Sequence, residues 1–260
     1  MRDVARPLLI ALPLLVAGAA EAGHPPAAPP REAGFAEIRG ISMYYRVYGA
    51  GPGAPVLMIH GGLGSADVWN EQVAALAVDH TVVVADSRGQ GRSGRTAEPI
   101  TYEAMAEDYV ALIDRLGLGK VALVGWSDGG IIGLEIAIRH PERLARLFVQ
   151  AANTTPDGLA APPPADAPRP ELRHYDDVRD EIQALWANEP HITDAELAAI
   201  RVPTVVAIGD HDEAVSIAHD RAIAAAIPGA RFLLLPDVGH AAVLEDPAGY
   251  TRAVLDFLEE

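Results

Sequence analysis

The 260-residue chain contains no cysteine. That excludes disulfide staples, thiolate zinc sites, a cysteine nucleophile and a lipid-modified N-terminal cysteine. Basic residues are also scarce: 20 Lys and Arg face 36 Asp and Glu, a net charge of −16. Phosphate recognition needs clustered cations, so the balance argues against nucleic acid and against stable docking on an anionic membrane. No phosphate loop, dinucleotide fingerprint, His-x-x-x-His pair or internal repeat is present. What remains is half hydrophobic, too apolar for a disordered chain and long enough for one large core.

Residues 1–22 read as a secretory signal peptide. Arg2 and Arg6 give a basic start, residues 8–16 an apolar run, and Ala20-Glu21-Ala22 a small-x-small cleavage site. The run is too short to span a bilayer, which takes about 20 apolar residues. The expected product is a secreted or periplasmic protein. Residues 23–34, rich in Pro and Ala, read as a linker.

From residue 35 the pattern changes. Two β-rich stretches, FAEIRG and ISMYYRVYG, come first. Short apolar runs follow at 56–59, 81–85, 121–124, 147–149, 204–208 and 232–235. Runs without alternation are what strands buried on both faces look like. Helical patterns at 65–77, 102–116, 127–140, 215–227 and 247–258 lie between and after them. Strand–helix alternation implies an α/β fold, a mostly parallel sheet with helices on both faces. Residues 154–200 break it with a proline-rich stretch and two helical pieces, and are expected to form a lid.

The sharpest local signal is GWSDGG at 125–130, where a buried strand runs through G-x-S-x-G into a helix. That is the context of a nucleophile elbow, so Ser127 is the candidate nucleophile. A serine hydroxyl needs a base, and the base needs an orienting carboxylate. GDHDE at 209–213 and GH at 239–240 follow the last two predicted strands and supply both. His240 is the candidate base. Asp212 is the favoured acid, with Asp210, expected to brace the turn, and Glu213 as competitors. His211 adjoins the acid and cannot easily face it. The histidines at 24, 80, 140, 174, 191 and 219 read as surface or helix-end residues. HGGLG at 60–64 follows another strand; its Gly62 N–H and that of Asp128 are the candidate oxyanion donors, with Leu63 as the alternative to Gly62. His60 is expected to hold this loop. Leu63, Trp126 and the lid residues Trp186 and Tyr175 are candidates for the substrate surface. Asp210, His211, Asp212 and His219 match no known ligand spacing, so no metal and no cofactor are expected.

Taken together, the HGG at 60–62, DSRGQGRS at 86–93, GWSDGG at 125–130, GDHD at 209–212 and GH at 239–240 resemble the α/β-hydrolase superfamily. The resemblance covers nearly all of residues 35–260. It implies an eight-stranded sheet with strand 2 antiparallel, a lid after strand 6 and a Ser127–His240–Asp212 triad. It also implies that DSRGQGRS is a structural loop. The elbow is similar to that of biphenyl-hydrolase-like enzymes, which include amino-acid ester (valacyclovir) hydrolases. There the acid after the serine is associated with the substrate's amino group, and Asp128 matches that position. The expected activity is cofactor-free hydrolysis of small-molecule carboxylic esters or lactones. C–C hydrolysis, amide cleavage, perhydrolysis and slow-turnover ligand reception are the alternatives.

Overall fold

The computed structural model describes residues 29–160 and 178–260. The expected signal peptide, residues 23–28, His24, His174, Tyr175 and the rest of lid stretch 161–177 lie outside the described residues. Among the described residues no helix is long and apolar enough to cross a membrane.

Eight strands form one sheet: β1 Glu32–Ile38, β2 Ile41–Tyr48, β3 Val56–Ile59, β4 Val82–Ala85, β5 Val121–Trp126, β6 Leu144–Gln150, β7 Thr204–Gly209 and β8 Arg231–Leu235. Their order is β1-β2-β4-β3-β5-β6-β7-β8. β2 runs antiparallel to both neighbours, and the strands from β4 to β8 pair in parallel. The first strand takes in residues 32–34, which composition assigns to the linker; there Ala33 and Gly34 pair with Arg46 and Tyr45. Ladder pairing uses the main chain and needs no apolar side chain, so composition does not show it.

The helices are α1 Val73–Leu76, α2 Tyr102–Leu116, α3 Asp128–Arg139, α4 Val178–Asn188, α5 Asp194–Leu197, α6 Ile217–Ala226, α7 Ala242–Glu245 and α8 Pro247–Glu259. Alternate residues of β3 feed opposite cores. Leu57 and Ile59 join the cluster that holds α2, α3 and the lid residues Ile182 and Leu185. Val56 and Met58 join the cluster of α1 and α8 with Trp69, Tyr250 and Phe257. That two-sided burial is why the central strands read as unbroken apolar runs.

The helix expected over 65–77 is split. Ser65 caps a 3₁₀ turn over Ala66–Trp69, and α1 begins only at Val73. Between them Gln72 is fully buried, with its Nε2 donating to the Val243 carbonyl at 3.0 Å. This cross-molecule bond holds the break. The lid stretch between β6 and β7 carries α4 and α5, with an isolated bridge from Leu159 to Val215.

Candidate active site

Ser127 stands between the end of β5 and the start of α3 with φ 55° and ψ −120°. A non-glycine residue there is strained, and such strain persists only where the surroundings impose it. The two glycines that flank it are fixed by space. A Cβ on Gly125 would lie 2.2 Å from the Gly129 carbonyl oxygen, and one on Gly129 would lie 2.1 Å from that of Ile59. The turn therefore packs against β3 and lifts the serine hydroxyl clear.

Three side chains from distant segments meet here. Ser127 Oγ is 3.0 Å from His240 Nε2. His240 Nδ1 is 3.0 Å from Asp212 Oδ2 and 3.2 Å from Oδ1. A carboxylate only accepts, so Nδ1 carries the proton and Nε2 is free to accept from the hydroxyl. Asp212 Oδ1 also accepts from the N–H groups of Ala214 and Val215, at 2.9 and 2.8 Å, which fixes its plane.

The competitors are placed elsewhere. Asp210 pairs through its backbone N–H with the Leu235 carbonyl at 3.0 Å. Its Oδ1 has no hydrogen-bond partner, so the carboxylate does not brace the turn as expected. The His211 side chain is 72% exposed, with its Nε2 3.7 Å from Asp210 Oδ1. Glu213 Oε2 accepts from the His240 backbone N–H at 3.2 Å, so it supports the histidine loop. Gln150 and Glu245 do the same without any signal in the sequence. Gln150 Nε2 donates to the His240 carbonyl at 3.2 Å, and Glu245 Oε2 accepts from Gly239 N–H at 2.7 Å. Trp126 also differs from its expected place on the substrate surface. It is buried, and its indole N–H donates to the His240 carbonyl at 2.8 Å. Its ring belongs to the core cluster of α1 and α8, and its centroid lies 5.8 Å from that of the His240 ring.

The HGGLG loop and the 3₁₀ turn after it are tied at three points to the DSRGQGRS loop after β4. Ser87 N–H donates to His60 Nε2 at 2.9 Å, Leu63 N–H to Gln90 Oε1 at 2.6 Å and Ala66 N–H to Asp86 Oδ1 at 2.7 Å. His60 Nδ1 in turn donates to the Gly61 carbonyl at 2.6 Å. Burial holds the His60 pKa below its usual range, so the ring is neutral and fits both bonds. With its N–H engaged by Gln90, Leu63 loses its claim as the alternative oxyanion donor. The N–H groups of Gly62 and Asp128 make no hydrogen bond among the described residues. Gly61 lies against Ser127: a Cβ there would be 3.2 Å from Ser127 Cβ. The Leu63 side chain packs against the core on the α2 and α3 side.

Asp128 is buried, and both of its carboxylate oxygens accept hydrogen bonds. Oδ1 accepts from Tyr102 Oη at 2.9 Å, and Trp186 Nε1 lies 2.9 and 3.0 Å from the two oxygens. Burial pushes its pKa up to about 6, opposed by the Trp186 and Tyr102 hydrogen bonds and by nearby His240. The Tyr102 contact has no sequence signal, because the tyrosine sits on α2, far along the chain.

His219 Nε2 accepts from the Thr154 N–H at 3.0 Å, and Asp212 is committed to His240, so those two residues are not gathered for a metal. Asp210, His211 and Asp237 do place one ligand atom each within 4.8 Å of one another, at an exposed rim. A cleft of about 520 Å³ is lined by Thr154, His191, Leu197, His219 and Ile223 but by none of Ser127, Asp212 and His240.

Comparison with known proteins places the fold among familiar ones. "Putative carbamate hydrolase RutD" of Caulobacter sp. (strain K31) is 33% identical, over 83% of this chain and 95% of that protein. The enol-lactonase of Burkholderia xenovorans LB400 superposes with a TM-score of 0.74 at 25% identity, covering 87% of this chain and 100% of that one. A thermophilic esterase from Thermogutta terrifontis gives 0.71 at 26% identity, with 89% and 98% covered. A family model described as alpha/beta hydrolase fold matches residues 54–185. On these matches, and on a sheet whose second strand alone runs against its neighbours, the chain belongs to the alpha/beta hydrolase fold family.

Proposed function

We propose that the chain is a serine hydrolase that cleaves carboxylic esters or lactones through an acyl-enzyme. The observation that carries this reading is the continuous relay from Ser127 Oγ through the His240 ring to Asp212, with links of 3.0 and 3.0 Å. His240 Nε2 takes the hydroxyl proton as Ser127 Oγ attacks the carbonyl carbon. The carbonyl oxygen becomes an oxyanion and is met by the N–H groups of Gly62 and Asp128. The imidazolium is held by Asp212 and gives its proton to the leaving oxygen, which departs as the alcohol. Water then repeats the sequence, with His240 again as base, and releases the acid and the free serine.

Active-site labelling with a fluorophosphonate and a p-nitrophenyl ester series test it together. Ser127→Ala is expected to abolish labelling and to lower kcat by about 10⁴–10⁶. Full activity in that variant overturns the reading.

Carbamate hydrolysis is a second reading, favoured by the name of the 33% identical relative. It uses the same attack, with a carbamoyl-enzyme in place of the acyl-enzyme. Ammonia release from a simple carbamate, faster than alcohol release from its ester analogue, selects it. The basic start and apolar run of residues 1–22 support export of the mature protein. Sequencing the N-terminus of secreted material checks this, and retention of Met1 contradicts it.

A further inference from the structure

We infer that Trp186 sets the width of the acyl-binding side of the site, and that Asp128 is the positioning residue that holds it there. The inference rests on the hydrolase reading above and names the substrate class: esters with short acyl groups.

Three elements converge on one buried carboxylate. Asp128 opens α3 directly after the nucleophile, Tyr102 opens α2, and Trp186 comes from α4 in the lid. The indole N–H is shared between both oxygens of Asp128, and the Tyr102 hydroxyl takes Oδ1 at 2.9 Å. A ring held by a shared N–H on a buried acceptor has little freedom to swing.

The indole is also where an acyl group would meet it. A Cβ on Gly62 would fall 2.6 Å from Trp186 Cζ2 and 2.4 Å from Asp128 Oδ2. The residue that offers its N–H to the oxyanion thus has no side chain, and the Trp186 ring fills that space. A Cβ on Gly61, one residue away, would lie 3.2 Å from the Ser127 Cβ. An acyl chain leaving the carbonyl on this side runs into the indole.

The rest of α4 is fixed independently. Ile182 and Leu185 are fully buried, and Glu181 accepts from the Ile100 N–H at 2.8 Å and from Arg95 Nη1 at 2.5 Å. Loss of the Asp128 contact therefore frees the indole without releasing the helix. The same contacts argue against Asp128 as an anchor for a substrate amine. Its oxygens already have donors, and an ammonium ion would have to compete with Trp186 and Tyr102 for them.

The test compares wild type with Trp186→Ala, Trp186→Phe, Asp128→Ala and Asp128→Asn on p-nitrophenyl esters from acetate to decanoate. The quantity read is the ratio of kcat/KM for octanoate over acetate, which simple loss of folded protein does not alter. Trp186→Ala is expected to raise it about tenfold or more, the scale set by space for extra methylenes. Asp128→Ala is expected to raise it in the same direction. Asp128→Asn keeps an acceptor oxygen and is expected to raise it less, and Trp186→Phe falls between. Ratios within twofold of wild type in both alanine variants overturn the inference. So does a wild-type preference for a free amino-acid ester over its N-acetyl form that disappears in Asp128→Asn.

A second readout does not need turnover. Asp128→Ala is expected to shift tryptophan emission to the red, and the shift is expected to vanish in a Trp186→Phe background. No shift in either background overturns the anchoring. Wild-type protein that resists the fluorophosphonate and cleaves no ester, together with the emission shift in Asp128→Ala, instead overturns the hydrolase reading and leaves the anchor standing.

Discussion

Asp220 lies on α6 with no exposed surface, and neither of its carboxylate oxygens has a hydrogen-bond partner. Burial pushes its pKa well above the ordinary value of 3.8, and the nearby charge of Asp212 adds to the push. The folded chain therefore keeps a proton at pH values where the unfolded chain has released it. Stability is full below the ordinary carboxylate range and falls as pH rises through the interval up to the raised value. Asp220→Asn carries no charge in either state and is expected to remove this slope. The expected gain at pH 8 is about 1–3 kcal/mol, the scale of an unsatisfied buried polar group. At about 2–4 °C per kcal/mol for a chain of this size, calorimetry at pH 8 and pH 4 reads it. The Tm gain should be clear at the first pH and absent at the second; equal gains at both refute the ionisation argument. At this scale the sequence is only partly legible. Ser127 and His240 stand in motifs whose neighbours dictate their place. Asp210 and Asp212 differ by one turn of a loop, and the N–H groups of Ala214 and Val215 decide between them. Such contacts depend on backbone direction, which residue type does not encode.

The loop after β4 shows how elements are fastened around the site. Its Arg88 reaches α2 and makes two bonds to Asp108, Nε to Oδ2 at 2.5 Å and Nη2 to Oδ1 at 2.6 Å. Both side chains are buried, at 4% and 1% exposure, so the pair sits away from solvent screening. Burial raises the Asp108 pKa, and Arg88 is the largest opposing influence. Removing only the cation strands the carboxylate with Arg39, which approaches no closer than 3.4 Å and is 47% exposed. Arg88→Met is expected to cost about 3–5 kcal/mol, whereas Arg88→Met with Asp108→Leu recovers most of it. Urea titrations of the two variants distinguish this from a pair that contributes nothing, for which the single change is silent. Strands were the easiest elements to read, because β3, β4 and β5 are buried on both faces and their composition says so. Short helices were the hardest. α7 is four residues long, too short for a period, and the pattern over 65–77 gave way to the pull of Gln72 toward Val243.

For the whole molecule, the order of motifs along the chain is enough to place the site, because parallel strands gather their C-terminal ends on one edge of the sheet. The chain's charge then acts on whatever approaches that edge. The net charge is −16, and the loops that carry Asp212 and His240, with the end of α7, add exposed carboxylates at Glu213, Asp237 and Glu245. An anionic substrate is repelled on approach, and its local concentration at the site is depleted. A neutral one is not. Salt shortens the Debye length from about 30 Å at 0.01 M to about 8 Å at 0.15 M, which removes most of that barrier. Between those two salt concentrations, kcat/KM for the p-nitrophenyl half-ester of succinate is expected to rise about two- to fivefold, while that for the acetate stays flat. The comparison separates the field of the protein from any general effect of salt on folding or on the chemical step, since those move both substrates together. A parallel rise for both, or a fall for the anion alone, contradicts the electrostatic account. The second outcome would point to a cation near the serine that pairs with the substrate's carboxylate.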